Sequence, residues 1–553
     1  MPSIINPGLM AVKPAFDGVR RSIYPEGGSP SLYAIGVPHP SYYYGYDPIT
    51  EVIPSDPTEW ATDEEHPLFY YINNETGNDA NGNGTPTSPR LTIPQDMDHP
   101  AGTVIVVEAT ATTYVTGGDG RWQMYMKGNR TKKCWIVGRN GLPKLDDEFR
   151  MISCYHTIVD GFEWTKTGNA HYQVHDSAYS EYLTLRNCKS VSGTGAALSG
   201  ALHACAGSSN LLKSKGLVIW NCEMSNYGEN LATSIENDIH AFKPHQNYTD
   251  IWMLDCVSTN LGGDCVQVGG ANTPVANRCE RVYIAKNDFS NTLENAVDIK
   301  SARDIVISQN EMYNFNRAGT SGGLDVATPV IIHDDPVNVW CLANTAHNIA
   351  NGLMCTGGDG VHFLGNVLYD IDPVMAYDPD NAYGIGHAFN MRATTNGTIA
   401  YNTVYDYSGG FAGAGAQDID IRANIFHTRN RVDGHEFNFA NINDYAGGTS
   451  DNNVFYPVIN AASFRRYTTE ETLAQYQVST SQEANAITVD PLLNAPLTQD
   501  FRLQTGSPAI DAGGTKPDAI ADFLTLYGIG IDVDYQNDPR GTVGNIGAIE
   551  EVV

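Results

Sequence analysis

Basic side chains are scarce in this sequence: 33 Lys and Arg stand against 63 Asp and Glu over 553 residues, a formal net charge of −30. That balance excludes nucleic acid or an anionic membrane as the main partner, because such binding runs on Lys and Arg neutralising phosphate. An acidic polymer could be bound only in a locally basic groove. Long apolar runs are also missing, and "GTVIVVEA" (102–109) has the length of a strand, not of a membrane span. The ten cysteines include no C-x-x-C pair, which argues against a zinc or dithiol redox site. Cys188, Cys222 and Cys256 recur at intervals of 34 and read as small buried residues in a stack, with isolated disulfides as the alternative. The start, "MPSIINPGLMAVKPAFDG", lacks a basic stretch followed by an apolar run, so no secretory signal is read there. An extracellular location is still expected, either for a mature chain or for a virion-associated one.

Gly (54) and Tyr (30) are abundant, and charged residues make up only 17%, which describes a folded, turn-rich, β-leaning chain. One pattern returns along its middle: apolar alternation, an Asn, then more alternation, as in "LTLRNCKS", "LVIWNCEM", "IVISQNEM" and "VHFLGNVL". The marked residues are Asn187, Asn221, Asp255, Asn287, Asn310, Asn344, Asn366, Asn402 and Asn424, spaced 22 to 36 apart. Period-two alternation excludes a helical repeat, and the uneven spacing excludes a propeller. Coils of two or three short strands, stacked at about 4.8 Å, predict an all-β, single-stranded, right-handed parallel β-helix. The Asn column then becomes a buried ladder of amides at a bend. The expected organisation is an N-terminal arm or cap over 1–64, the β-helix over 65–458 and a C-terminal capping segment over 459–553. "TTEETLAQYQ" carries the one short helix foreseen.

Three consecutive coils, "ENDIHAFKPHQN" (236–247), "GGDCVQVGG" (262–270) and "ENAVDIKSARD" (294–304), concentrate charge on one strand face. Aligning their first strands predicts His240, Gln267 and Asp298 in one outward column and Phe242, Gly269 and Lys300 in the next. His203 precedes this set. "VIIHDDP" adds His333, and "AFNMR" repeats "AVDIK" with Asn390 for Asp298 and Arg392 for Lys300. Bases and histidines gathered on one face supply the basic groove that the overall charge demands.

Two chemistries suit such a groove. β-Elimination from a uronic acid needs a base and something to neutralise the substrate carboxylate. Glycoside hydrolysis needs two carboxyl groups, about 5 Å apart for retention and roughly 6.5–9.5 Å for inversion. Asp238, Asp264 and Asp298 on successive turns admit either geometry.

"NDIHAFK" followed by "GGDCVQVGG" resembles the pectate lyases of polysaccharide lyase family nine, in which Asp-Gly-x-x-x-Lys precedes an acidic calcium motif. Asp238, Lys243 and Asp264 match that pattern, whereas Gly263 and Gln267 replace two acids of it. "DIKS" resembles the Lys-Ser motif of family six, which implies Lys300 as the base with an Arg further along. "GDCVQV" with "DIHAF" is also similar to polygalacturonases, though their Gly-His-Gly and Arg-x-Lys elements are absent.

The expected function is a lyase acting on an acidic polysaccharide, with a polygalacturonase-type hydrolase or a glycan-binding, tailspike-like β-helix as alternatives. Lys300, His240, Arg392 and Lys243 are the expected catalytic residues. His203, Gln267, His245, Arg303, His333 and Asn390 are expected to bind substrate. Asp238, Asp264 and Asp298 would hold a Ca²⁺ ion. The chain is expected to act as a monomer, or as a trimer if it is built like a tailspike.

Overall fold

The computed structural model describes residues 32–56, 68–80, 84–116, 120–165, 172–174, 179–193, 200–204, 213–227, 239–315, 328–371, 386–428, 437–439, 447–457, 464–466 and 469–553. Asp238 lies outside them, and of His203 only the backbone is described. The chain forms two compact units, one over 40–288 and one joining the described part of 1–39 to 289–553.

Each unit is a parallel β-helix, as the repeat predicts. Every complete coil gives one short strand to each of three sheets, and equivalent strands pair in parallel. In the N-terminal unit the first sheet runs from Phe69–Ile72 to Glu280–Ala285, and the third ends on Gly200–Ala204, His240–Pro244 and Val266–Val268. In the C-terminal unit the third sheet runs through Val297–Lys300, Val330–His333, Leu353–Cys355, His387–Arg392 and Gly409–Ala414. Inward positions such as Val297, Ile299, Val330, Ile332, Leu353 and Phe389 are wholly buried, which is the period-two face expected of a strand lining a core.

The amide ladder is real and continuous in the C-terminal unit. Asn310, Asn344, Asn366, Asn402, Asn424 and Asn453 each donate Nδ2 to the next side chain, and the first five of these bonds measure 2.9–3.0 Å. The last Asn donates to Glu483 instead. In the N-terminal unit the pattern divides by one residue. Asn287 sits in the ladder, taking the N–H of Cys256 at 2.8 Å, so the ladder position one coil earlier is Cys256 itself. Asn187, Asn221 and Asp255 stand one place before Cys188, Cys222 and Cys256 and adopt left-handed φ values of 55°, 51° and 50°, a conformation that Asn and Asp tolerate best among residues with a Cβ. All nine cysteines among the described residues are free thiols, and all are buried.

The flanking segments lie along the coils. In the N-terminal unit, Tyr44 donates its hydroxyl to the Leu183 carbonyl at 2.6 Å. Arg186 there, paired with Asp160, donates to the carbonyls of Pro48, Ile49 and Glu51. In the C-terminal unit, Phe501, Leu503, Ile546 and Ala548 pack against Tyr369, Tyr405 and Ile425. The expected helix forms over Leu473–Thr480 with a Thr472–Gln475 capping box. A second helix, Asp518–Tyr527, sets Phe523 edge-on to Trp340, with ring centroids 4.9 Å apart.

Candidate active site

In the strand Val297–Lys300 the two charged residues share the side opposite the buried Val297 and Ile299. The next strand pairs Asp298 with Ile331 and Lys300 with His333. This register brings three ionisable groups together. Asp298 Oδ2 lies 2.8 Å from Lys300 Nζ, and Asp298 Oδ1 lies 2.8 Å from His333 Nε2. The carboxylate is buried, while the Lys300 and His333 side chains keep 22% and 25% of their surface. His333 Nδ1 stands 3.5 Å from the Asp334 carboxylate.

Burial presses the His333 imidazole toward its neutral form, but the hydrogen bond and charge of Asp298 outweigh it. Asp334 adds to that effect and Lys300 opposes it, so His333 titrates above the ordinary imidazole value. The corner after the strand fixes this arrangement. Ser301 Oγ donates to the Asp334 carbonyl at 2.8 Å, and Ser301, Asp334 and Asp335 all have positive φ. The serine of "DIKS" thus pins the bend that carries His333.

The same sheet holds Asn390 and Arg392. Registers through Met354 and Cys355 put Asn390 in the column of Asp298 and Arg392 in that of Lys300, three strands on. Three strand spacings are roughly 14 Å, too far for Arg392 and Lys300 to act on one reacting atom. Arg303 departs from the expected face. It belongs to the first sheet, beyond the Ser301 corner, is exposed, and lies 3.7 Å from Asp304.

In the N-terminal unit the strand alignment differs from expectation. Phe242 pairs with Val266, which puts Lys243 rather than His240 beside Gln267. Phe242 is buried, not outward. His240 is wholly buried, accepts the Asp264 N–H at Nδ1 (3.0 Å), and lies 3.2 Å from the Asp264 carboxylate. His240 is thus tied to Asp264 inside the coil, whereas the sequence places it outward in the groove. The backbone of His203 pairs with Lys243. His245 is held below the ordinary imidazole value by burial and by the charge of Lys243.

Calcium takes six to eight oxygen ligands. Asp298 already directs one oxygen to Lys300 and the other to His333. Asp264 forms a buried acid–imidazole pair with His240. Asp264 and His240 nonetheless belong to a buried group whose ligand atoms stand close enough to hold a metal ion, and Asp238, the third expected ligand, lies outside the described residues. The pairing of His333 with Asp298 was the feature hardest to foresee. Its one sequence signal was a histidine ending a strand, "VIIH", one coil after "VDIK".

No protein-family model and no curated protein matches the chain. Among solved structures it is similar to a pectate lyase, at 13% identity and TM-score 0.35, covering 89% of this chain and 99% of that one. A mannuronic acid specific polysaccharide family 6 lyase from human gut microbiota gives 11% identity and TM-score 0.40, covering 70% and 90%. Lacto-N-biosidase from Eubacterium ramulus gives 12% identity and TM-score 0.40, covering 73% and 68%. The parallel β-helix is established by the strand registers of the chain itself.

Proposed function

We propose that the chain is a polysaccharide lyase that cleaves a uronic-acid polymer by β-elimination at Asp298, Lys300 and His333. The observation that carries this reading is one buried carboxylate held at 2.8 Å by both an ammonium and an imidazole, on the outward side of a β-helix strand. The resemblance to family six assigns the base to Lys300. Ordinary Lys and His side chains differ by about 4 pKa units, or roughly 5 kcal/mol. In a cluster sharing one carboxylate, that difference leaves the proton on lysine and makes histidine the exchangeable group. Lys300 is therefore the cation that neutralises the substrate carboxylate, and His333 is the base.

Asp298 accepts from His333 Nε2, which leaves Nδ1 as the nitrogen carrying the free pair. His333 Nδ1 takes the proton from the carbon next to the substrate carboxylate. The electron pair of that C–H bond becomes the new C=C, the C4–O bond breaks, and its electron pair leaves with oxygen. The same proton passes from His333 to the departing oxygen, so the imidazole ends neutral. Both Asp298 oxygens already accept, one from Lys300 and one from His333, so neither is free to protonate a glycosidic oxygen, which counts against a hydrolase centred on Asp298.

The test is incubation with a panel of uronate polymers, reading the ultraviolet absorbance of a C=C conjugated to a carboxylate. New reducing ends without that absorbance would mean hydrolysis, and neither product would mean a binding protein.

A further inference from the structure

Asn390 is an outward residue of its strand yet only 2% exposed, and both its amide Oδ1 and Nδ2 are buried without a hydrogen-bond partner among the described residues. The neighbouring outward residue, Arg392, likewise buries Nη2 without a partner. Buried amides and guanidiniums are nearly always satisfied, because an unmade bond costs on the order of 1–3 kcal/mol. Two such groups side by side on one sheet face mark a place built for something that accepts and donates hydrogen bonds.

Their surroundings say what kind of ligand fits. Between Asp298 and Asn390 the outward column is apolar, with Ile331 and Met354 both buried. Beyond Asn390 and Arg392 the paired residues are Ala412 and Ala414, which contribute only methyl groups. The adjacent column carries Lys300, His333 and Arg392, a cationic row in a protein of net charge −30. The part-exposed cations of that column, spaced along the sheet, match a chain of sugar rings bearing carboxylates at intervals, and the column beside it is covered.

We infer that Asn390 and Arg392 form a second uronate subsite, roughly 14 Å along the sheet from Lys300. Arg392 binds the carboxylate of a saccharide that is not being cleaved, and Asn390 takes its hydroxyls. This deepens the lyase reading and rests on it for the class of ligand. The expected consequence is discrimination by chain length, since short oligomers bound at Lys300 do not reach Arg392.

The experiment measures binding rather than turnover. Calorimetry with hexagalacturonate and hexamannuronate, and with the corresponding disaccharides, is run on His333→Gln protein, which keeps Lys300 but lacks the base. Adding Arg392→Ala or Asn390→Ala is expected to weaken binding of the hexamer that binds by roughly tenfold, the loss of one charge-assisted hydrogen bond. Disaccharide binding should stay the same. Arg392→Lys, which keeps charge and most of the volume, is expected to fall between the two and guards against a folding defect. Unchanged hexamer affinity, no hexamer binding before the Arg392 change, or equal loss at both lengths overturns the subsite. Failure of the wild-type protein to form the conjugated C=C overturns the lyase reading and leaves this binding result to stand or fall separately.

Discussion

His333 Nε2 and Asp298 Oδ1 lie 2.8 Å apart across two adjacent coils, residues 35 positions apart in the chain. That contact decides which imidazole nitrogen carries the proton in the neutral ring and raises the pH at which the ring loses its charge. A base must be neutral to act, so turnover should rise with pH and level off above the His333 value. The midpoint should lie above the ordinary ~6.5 of histidine and well below the ~10.4 of lysine. A pH profile of kcat/KM checks this, and a midpoint in the lysine range would return the base to Lys300.

Asp298→Asn removes the charge but keeps the shape. The amide no longer favours the imidazolium, so the midpoint of the profile should move down. An amide can also hold the wrong ring tautomer, and kcat should fall on the order of 10²–10⁴-fold. Steady-state kinetics across pH reads both effects at once.

Chelation offers an independent check. With Lys300 as the neutralising cation, the rate should survive dialysis against EDTA. A lost rate restored by added Ca²⁺ would hand that task to a metal.

The end of the amide ladder predicts a pH-dependent stability. Glu483 is completely buried, and its value is pushed up to about 8, first by burial, with hydrogen bonds from Ser450 and Asn453 opposing. Its folded-state value exceeds the unfolded one, so the folded chain binds the proton more tightly. The stabilisation is complete below the unfolded value of about 4.5 and is lost as pH rises toward 8, by at most roughly 5 kcal/mol. Thermal melts of Glu483→Gln should show a flatter decline between these pH values than wild type. Parallel curves would show that Glu483 does not carry the effect.

Within the ladder, Asn366 accepts from the backbone and side chain of Asn344 and donates to Cys341 and Asn402. Asn366→Ala leaves several of these buried groups unsatisfied. A loss of about 2–4 kcal/mol in denaturant unfolding is expected.

Much of this architecture was legible because a β-helix writes each coil into the chain as a repeat. The alternation, the Asn310–Asn424 ladder and the buried cysteines all followed from it. What failed was register. Coils of 22 to 36 residues differ in length, and spacing in the chain does not say how much of a coil belongs to which strand. Spacing alone therefore sets His240 beside Gln267, where Lys243 stands. Asn187 and Asn221 do bond from coil to coil, Asn221 donating to Asn187 at 2.8 Å, but from the left-handed position one residue before the buried ladder. Arg303 shows a related limit: the Ser301 corner turns the chain onto another sheet within three residues of Lys300. The Asp298–His333 contact depends on pairing between coils, which no local pattern encodes.

The most direct measurement of the central claim compares wild-type protein with His333→Gln and Lys300→Ala on a uronate polymer, following the absorbance of the conjugated C=C. Wild type should generate that product and both variants should lose it, with His333→Gln still binding the polymer. Full activity in either variant, or cleavage by wild type without the new C=C, would contradict the account.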